Sequence, residues 1–256
     1  MTEYEGFRVE SAGRVATVTL DVPDKFNRVT LGARAQLDEV FREIGADESV
    51  RFVVVTGAGG AFTAGGDIAG FLEASPEELS RLHWNVAAPE RCSKPVIARL
   101  QGYAFGVGLE LALACDFRIA ADDIELALPE VKLGMIPGSG GTQRLVRLIG
   151  LARAKDAIMR GRRIGAEEAL ALGLVTRVVP AAELDAAVDE LVAELAELSP
   201  LALALAKRVL DLAEESPLHV GLHVEGLAYG LLRSTDDFRE GVEAFGEKRK
   251  PRFEGR

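Results

Sequence analysis

The chain has few of the residues on which several kinds of functional site depend. Its 256 residues include 2 cysteines and 3 histidines. Cys92 and Cys115 are too few and too far apart in sequence to indicate a disulfide framework or a thiolate metal site. We therefore expect no metal, and the sparing use of cysteine fits a protein of the reducing cytoplasm.

The sequence also has little that would attract nucleic acid or a membrane. The formal net charge is -10, which disfavours binding to a polyanion. The chain has no apolar run of about 18 residues, the length of a membrane span, and no signal pattern precedes Tyr4. We expect no nucleic-acid partner, no membrane association and a cytoplasmic location.

Glycine is plentiful, and two glycine-rich segments each follow a short apolar run typical of a buried strand. Residues 57–70 follow Phe52–Val55, and residues 101–111 follow Val96–Leu100. Strands that alternate with helices predict a parallel sheet in an α/β fold, with the loops after the strands on one common side. That side is where α/β proteins bind ligands, so we expect the functional site there.

The second glycine-rich segment has the features of a site that stabilises negative charge. Gly102, Gly106 and Gly108 allow a tight turn and close approach of the backbone, and a helix is predicted to begin near Val107. The first turn of a helix has unbonded N–H groups and the positive end of the helix dipole, so it binds anions or oxygens that become anionic. Glu110 lies in this turn and, taken alone, is better explained as a complement to the dipole.

The first glycine-rich segment does not match the known phosphate-binding loops. Phe62 stands where a dinucleotide fingerprint beginning at Gly57 has its third glycine, and no Gly-Lys-Ser/Thr pattern follows. We interpret the segment as a loop whose N–H groups at Gly65 and Gly66 point into a cavity. The alternative is a tight connection that only needs small residues.

Two other patterns fail as catalytic or metal motifs. His219 and His223 are four residues apart on a predicted helix, but the sequence offers no third ligand. Ser139 is flanked by glycines, yet Pro137 occupies the place of the first glycine in a nucleophile elbow. A metal site and a Ser–His triad are therefore disfavoured.

Several of these segments together resemble the enoyl-CoA hydratase/isomerase (crotonase) superfamily along nearly the whole chain. The matching segments are Ala61–Ile68, Gly102–Asp116, Leu128–Gly134, Ile136–Leu145 and Phe238–Phe253. The resemblance implies a ClpP/crotonase-like spiral of repeated ββα units with a helical C-terminal region. It implies a core over residues 1–195, a trimerisation region over 196–256, and a homotrimer or a hexamer built from two trimers.

The resemblance also implies the catalytic groups. The backbone N–H groups of Gly66 and Val107 match the family's oxyanion hole; family members usually have glycine at the second position, so Val107 must direct its side chain away from the thioester. Hydratases of the family have two glutamates, matched by Glu110 and Glu130, and many isomerases, hydrolases and decarboxylases lack one or both. The implied reaction is hydration of a 2-enoyl-CoA to the 3-hydroxyacyl-CoA, as in fatty-acid β-oxidation.

Elementary chemistry explains why such a reaction needs two acids. Adding water to the double bond requires removal of a proton from the water that attacks C3 and delivery of a proton to C2. Two carboxyl groups on either side of one water can do both. We expect Glu110 to help activate the water and Glu130 to exchange the proton at C2.

The substrate contacts are likewise taken from the resemblance. Residues implied to bind the substrate or its coenzyme A are Lys25, Phe26, Ala64, Gly65, Gly66, Asp67, Ile68, Gly106, Pro129, Phe245 and Lys248. Of these, Phe245 and Lys248 match positions that reach the coenzyme A of a neighbouring subunit. Coenzyme A belongs to the substrate, so no separate cofactor is expected. The acyl pocket is expected near Phe71, Leu72, Trp84 and Ile136.

Two alternatives to a simple 2-enoyl-CoA hydratase stay open. One is another crotonase-type enzyme, a double-bond isomerase or a hydratase of a cyclic acyl-CoA, and the unusual segment Phe26–Thr30 slightly favours a specialised substrate. The other is a noncatalytic scaffold or RNA-binding member of the fold. The net charge of -10 and the retention of Glu110 and Glu130 argue against that second alternative.

Overall fold

The computed structural model describes residues 2–256, which divide into two compact units. The first unit comprises the chain up to Cys92 together with Val96–Val188, and the second comprises Ser93–Pro95 with Asp189–Arg256. The division into a core over 1–195 and a trimerisation region over 196–256 stays a prediction. Over the described range, every helix is too short or too polar to cross a bilayer.

Two β-sheets form the framework of the first unit. Their strands are β1 (Thr2–Tyr4), β2 (Phe7–Ala12), β3 (Val15–Leu20), β4 (Phe52–Gly57), β5 (Val96–Leu100), β6 (Tyr103–Phe105), β7 (Phe117–Ala121), β8 (Glu125–Ala127), β9 (Arg163–Gly165) and β10 (Arg177–Val179). The larger sheet has the order β1-β2-β3-β4-β5-β7-β10, and the smaller one has the order β6-β8-β9. The β2–β3 hairpin is antiparallel, whereas β3, β4, β5, β7 and β10 pair in parallel, as the alternation of strands and helices predicts.

Helices connect the strands and make up most of the second unit. They are α1 (Leu31–Ala46), α2 (Pro76–Ser80), α3 (Leu82–Val86), α4 (Ala88–Arg91), α5 (Val107–Leu113), α6 (Gly141–Ile149), α7 (Leu151–Arg160), α8 (Ala166–Ala171), α9 (Leu184–Ala196), α10 (Pro200–Glu215), α11 (Leu218–Leu232) and α12 (Asp236–Glu247). Pro76 followed by Glu77 and Glu78 predicts the start of one helix over residues 76–91, but this prediction is wrong, because the segment forms three short helices. Pro89 lacks an N–H group and lies in the first turn of α4, where a helix tolerates proline.

Helix α1 illustrates how the sequence specifies an element of the first unit. The Thr30 side chain accepts a hydrogen bond from Ala33 N at 3.0 Å and so caps the helix. Leu37, Phe41 and Ile44 recur at helical spacing and are buried in the hydrophobic core. This packing fixes the face of α1 that points inward.

Backbone pairing holds the two glycine-rich loops side by side. Thr63 N donates to Tyr103 O at 2.8 Å, and Phe105 N donates to Thr63 O at 3.1 Å. A second bridge pairs Val29 with Gly66 in parallel. The loops that follow β4 and β5 therefore lie next to each other, as expected for loops at the ends of adjacent parallel strands.

Candidate active site

A cavity of about 550 Å³ lies in the first unit between the two glycine-rich loops. The predicted site residues that line it are Ala64, Gly65, Gly66, Ile68, Gly106, Val107, Glu110, Pro129 and Glu130. Phe71 and Ile136, expected in the acyl pocket, line it as well. Groups from three separated segments, 64–71, 106–110 and 129–136, thus share one cavity.

Two backbone N–H groups on facing walls are left without a recorded acceptor among residues 2–256. Gly65 O accepts from Val29 N at 3.0 Å, and Asp67 N donates to Val29 O at 3.0 Å. In such a parallel bridge the N–H of the middle residue, Gly66, points away from the paired strand. On the other wall Val107 is the first residue of α5, where helical N–H groups have no partner within the helix. The Val107 side chain is 3% exposed and belongs to the hydrophobic core.

Glu110 is fixed by two backbone donors. Its Oε1 accepts from Ser139 N at 2.7 Å and from Gly141 N at 3.0 Å, the latter in the first turn of α6. The side chain is 2% exposed, and a Cβ added to Gly141 would lie 3.1 Å from Oε1. Glycine at 141 therefore allows the backbone to approach the carboxylate closely enough to bind it.

Glu130 has a very different environment. It begins a 3-10 turn over Glu130–Leu133, and its Oε2 is buried with no hydrogen-bond partner within the described chain. Burial raises the pKa of Glu130 from its ordinary value of 4.5 to about 7; the Glu110 charge also raises this pKa, whereas a backbone hydrogen bond and the Arg34 charge lower it. A carboxyl group of this kind can both give and take a proton near neutral pH.

The structure adds Arg34, a residue that the sequence analysis did not select. It projects from α1, lines the cavity and is 4% exposed. Its Nη1 donates to Ser139 Oγ at 3.3 Å, and its guanidinium carbon lies 5.2 Å from the centre of the Phe71 ring. Burial lowers the pKa of Arg34, and the charges of Glu110 and Glu130 oppose that effect.

Arg34 could have been found from its helical position. It lies three residues before Leu37 and seven before Phe41, on the apolar face of α1. A charged residue on the buried face of an amphipathic helix is unusual unless it has a partner or a function.

The predicted coenzyme A contacts near Lys25 lie beside the cavity wall rather than on it. Ala64 N donates to Phe26 O at 2.9 Å, which places the exposed Lys25–Phe26 segment against the first glycine-rich loop. The Phe26 ring is 58% exposed. Asp67 accepts from Arg28 Nη1 at 3.2 Å and does not line the cavity.

Four further predicted residues lie elsewhere. Leu72 is 90% exposed and does not line the cavity. Trp84 does not line it either, because its ring packs against the Arg91 guanidinium at 4.0 Å. These two are corrections to the expected acyl pocket. Phe245 and Lys248 belong to the second unit, at the end of α12, and their contact with a neighbouring subunit's coenzyme A stays a prediction.

The chain belongs to the enoyl-CoA hydratase/isomerase family, whose profile matches residues 10–256. It is 37% identical over 253 residues to the short-chain-enoyl-CoA hydratase of Clostridium acetobutylicum, covering 97% of each protein. It is 39% identical to an enoyl-CoA hydratase of Bacillus anthracis of known structure, with a TM-score of 0.92 over 98% of this chain and 100% of that one. An enoyl-CoA hydratase subunit from Geobacillus kaustophilus gives a TM-score of 0.94 at 38% identity, with 100% of both chains covered.

These relatives confirm the α/β crotonase-type fold with its helical C-terminal region. They also confirm that the chain is an enzyme of the hydratase type.

Proposed function

We propose that this enzyme hydrates a 2-enoyl-CoA thioester to the corresponding 3-hydroxyacyl-CoA. The observation that carries the proposal is that Glu110 and Glu130 line the same cavity as Gly66 and Val107. Relatives of 37% identity named for this activity support it. A substrate double bond beside the thioester would lie between the two carboxyl groups.

The two amides would bind the thioester oxygen. As water adds at C3, electrons move from the double bond to that oxygen, which gains negative charge as an enolate. Fixed N–H donors stabilise such an oxygen by about 3–4 kcal/mol each in other oxyanion holes. Binding is strongest when the charge has developed, so it accelerates the reaction rather than only tightening substrate binding.

The two glutamates would move the protons. Glu110, with Oε1 held by two N–H groups, has Oε2 left to accept a proton from the attacking water. Glu130, with a pKa of about 7, gives its proton to C2. The sum is one water added across the C2–C3 bond, and solvent restores both carboxyl groups to their starting states.

The accompanying features of the proposal follow from the same reaction. Coenzyme A arrives as part of the substrate, so the mechanism uses no separate cofactor. We propose that the Lys25–Phe26 segment and residues 64–68 bind the coenzyme A portion. A trimer or hexamer, with Phe245 and Lys248 at a neighbouring site, and a cytoplasmic location in β-oxidation complete the proposal.

The test is hydration of crotonyl-CoA, followed as the loss of the ultraviolet absorbance of its conjugated double bond. Wild-type enzyme is expected to turn over crotonyl-CoA, and 3-enoyl-CoA is the comparison substrate. Conversion of 3-enoyl-CoA to 2-enoyl-CoA without any hydration would replace the hydratase proposal with a double-bond isomerase.

A further inference from the structure

The mechanism above leaves Arg34 without a role, although it is among the most deeply buried charged side chains of the site. At 4% exposure its guanidinium has lost nearly all of its contact with bulk water. Removing a charge from water is costly unless a partner of opposite charge or a set of hydrogen bonds compensates. The question is therefore how far the chain itself compensates the buried charge of Arg34.

The chain provides little compensation for the buried charge of Arg34. Among the side chains that the structure describes, no carboxylate oxygen lies within ion-pair distance of Arg34, and its Nε is buried without a hydrogen-bond partner. The recorded hydrogen bond goes to the neutral Ser139 hydroxyl at a long 3.3 Å. Glu110 and Glu130 act on Arg34 only through longer-range attraction. Guanidinium has five N–H donors; with Nε enclosed and Nη1 bonded to Ser139, the N–H groups of Nη2 and the second N–H of Nη1 remain for a group in the cavity.

The position of Arg34 limits which group in the cavity it can bind. A Cβ added to Gly66 would collide with Nη2 of Arg34, so the guanidinium lies directly against the residue whose N–H is proposed to hold the thioester oxygen. A group bound by Arg34 is therefore only a few bonds from the thioester carbon. Phe71 covers one face of the guanidinium, which leaves the edge with its N–H groups for an oxygen ligand.

We propose that Arg34 is a specificity residue that binds a carboxylate on a short acyl chain, so that the preferred substrate is the mono-CoA thioester of an unsaturated dicarboxylic acid. The inference deepens the proposed function and rests on it. Carboxylate is the ligand whose two oxygens match the planar guanidinium fork. Its negative charge supplies the counter-ion that the folded chain lacks at this position.

The test compares two substrates of nearly equal shape. Glutaconyl-CoA ends in a carboxylate, and 5-methylhex-2-enoyl-CoA has an isopropyl group in the same place. Hydrogen bonds between charged groups in a desolvated site correspond to at least about tenfold in affinity. We expect wild-type kcat/KM to be at least about tenfold higher for glutaconyl-CoA, and equal values or the opposite order would overturn the proposal.

Variants assign any preference to Arg34. In Arg34→Met the preference is expected to vanish or reverse, while Arg34→Lys, which keeps a positive charge, is expected to keep part of it. Arg42→Met is the matched control, because Arg42 lies on α1 with an exposed side chain and should leave the ratio unchanged. An equal loss with both substrates in Arg34→Met would mean that Arg34 acts on the reaction itself, and the specificity role would be abandoned.

A binding measurement separates this inference from the hydratase proposal and does not need a folded variant. Calorimetry on wild-type enzyme would compare the saturated compounds glutaryl-CoA and 5-methylhexanoyl-CoA. Tighter binding of glutaryl-CoA without hydration of any enoyl-CoA would support the Arg34 assignment and reject the hydratase reaction. Hydration of crotonyl-CoA with no preference for glutaconyl-CoA or glutaryl-CoA would support the hydratase reaction and reject the Arg34 assignment.

Discussion

Glu110 and Glu130 lie in the same cavity, but the protein treats them in opposite ways. Glu110 is held by two backbone N–H groups and is almost fully buried. Glu130 keeps a buried oxygen without a partner, and its pKa is raised to about 7. A carboxylate with one oxygen fixed by backbone donors presents its other oxygen in a set direction, whereas a buried, unsatisfied one is poised to give up or take a proton near neutral pH. The difference teaches that two identical side chains acquire different chemistry from their surroundings.

The largest expected effect comes from removing each carboxyl group in turn. Glu110→Gln and Glu130→Gln are each expected to lower kcat for crotonyl-CoA hydration by about 10²–10⁴-fold, because each removes one proton-transfer group. The double variant is expected to lose less than the product of the two, since groups that act as a unit are not additive. Steady-state kinetics on the three variants checks this, and a Glu130→Gln enzyme of full activity would remove Glu130 from the mechanism.

The pH dependence tests Glu130 in both directions of the reaction. Hydration needs protonated Glu130, so its kcat/KM is expected to fall above about pH 7, by about tenfold per pH unit. The kcat/KM for dehydration of the 3-hydroxyacyl-CoA should fall in parallel, because hydration takes up no net proton and the ratio of the two kcat/KM values, which is the equilibrium constant, does not vary with pH. In Arg34→Met the Glu130 pKa is expected to rise, because the Arg34 charge lowers it in the wild type. Profiles with no limb near neutrality in either direction would contradict the assignment.

The sequence predicted some parts of the fold and of the candidate site and not others. The two loops followed from apolar runs that end in glycine, because that pattern is local. The roles of Glu110 and Glu130 came from resemblance alone, since their spacing along the chain carries no information about a shared cavity. The single helix predicted over 76–91 is interrupted at Arg81 and Ala87, and Pro89, in the first turn of α4, accounts only for the second interruption. The short strands β9 and β10 were missed because three residues give little periodicity.

Arg34 shows what could not be predicted from the sequence. Its place on the apolar face of α1 was visible in the sequence, but its depth and its missing partner depend on how α1 packs near Gly66 and Ser139. Contacts between Arg34 and Ser139 join residues 105 positions apart. Such pairings are set by tertiary packing and not by local pattern.

A smaller effect is expected from a methyl group placed behind Glu110. In Gly141→Ala the new Cβ would lie 3.0 Å from Glu110 Cγ and 3.0 Å from Leu128 Cδ1, so the carboxylate must shift against its two backbone donors. We expect about a tenfold loss of kcat, about 1.4 kcal/mol, from this misplacement of the acid. Gly165→Ala is the control, since its Cβ would meet no atom within 4 Å and Gly165 does not line the cavity. Equal activity of the two variants would show that the Glu110 geometry tolerates movement.

The smallest effect concerns stability and has opposite signs for the two glutamates. The raised pKa of Glu130 means that the folded state holds its proton more tightly than the unfolded state. Glu130 therefore makes the free energy of unfolding fall as pH rises from about 4.5 to about 7. The Glu130→Gln variant has a neutral side chain at every pH. Its free energy of unfolding should therefore exceed the wild-type value by about 1–2 kcal/mol at pH 8, with the full pKa shift discounted for partial exposure, and by little near pH 5.

Urea unfolding of both proteins at pH 5 and pH 8 measures this difference, with Glu48→Gln on the surface as the control. Glu110→Ala should instead be destabilised at pH 8, by about 1–3 kcal/mol, because it leaves the N–H groups of Ser139 and Gly141 without their acceptor. If Glu130→Gln also loses stability at pH 8, then Glu130 is held by interactions of the same kind as Glu110. The contrast between a carboxylate fixed by backbone donors and one left without a partner would then fail.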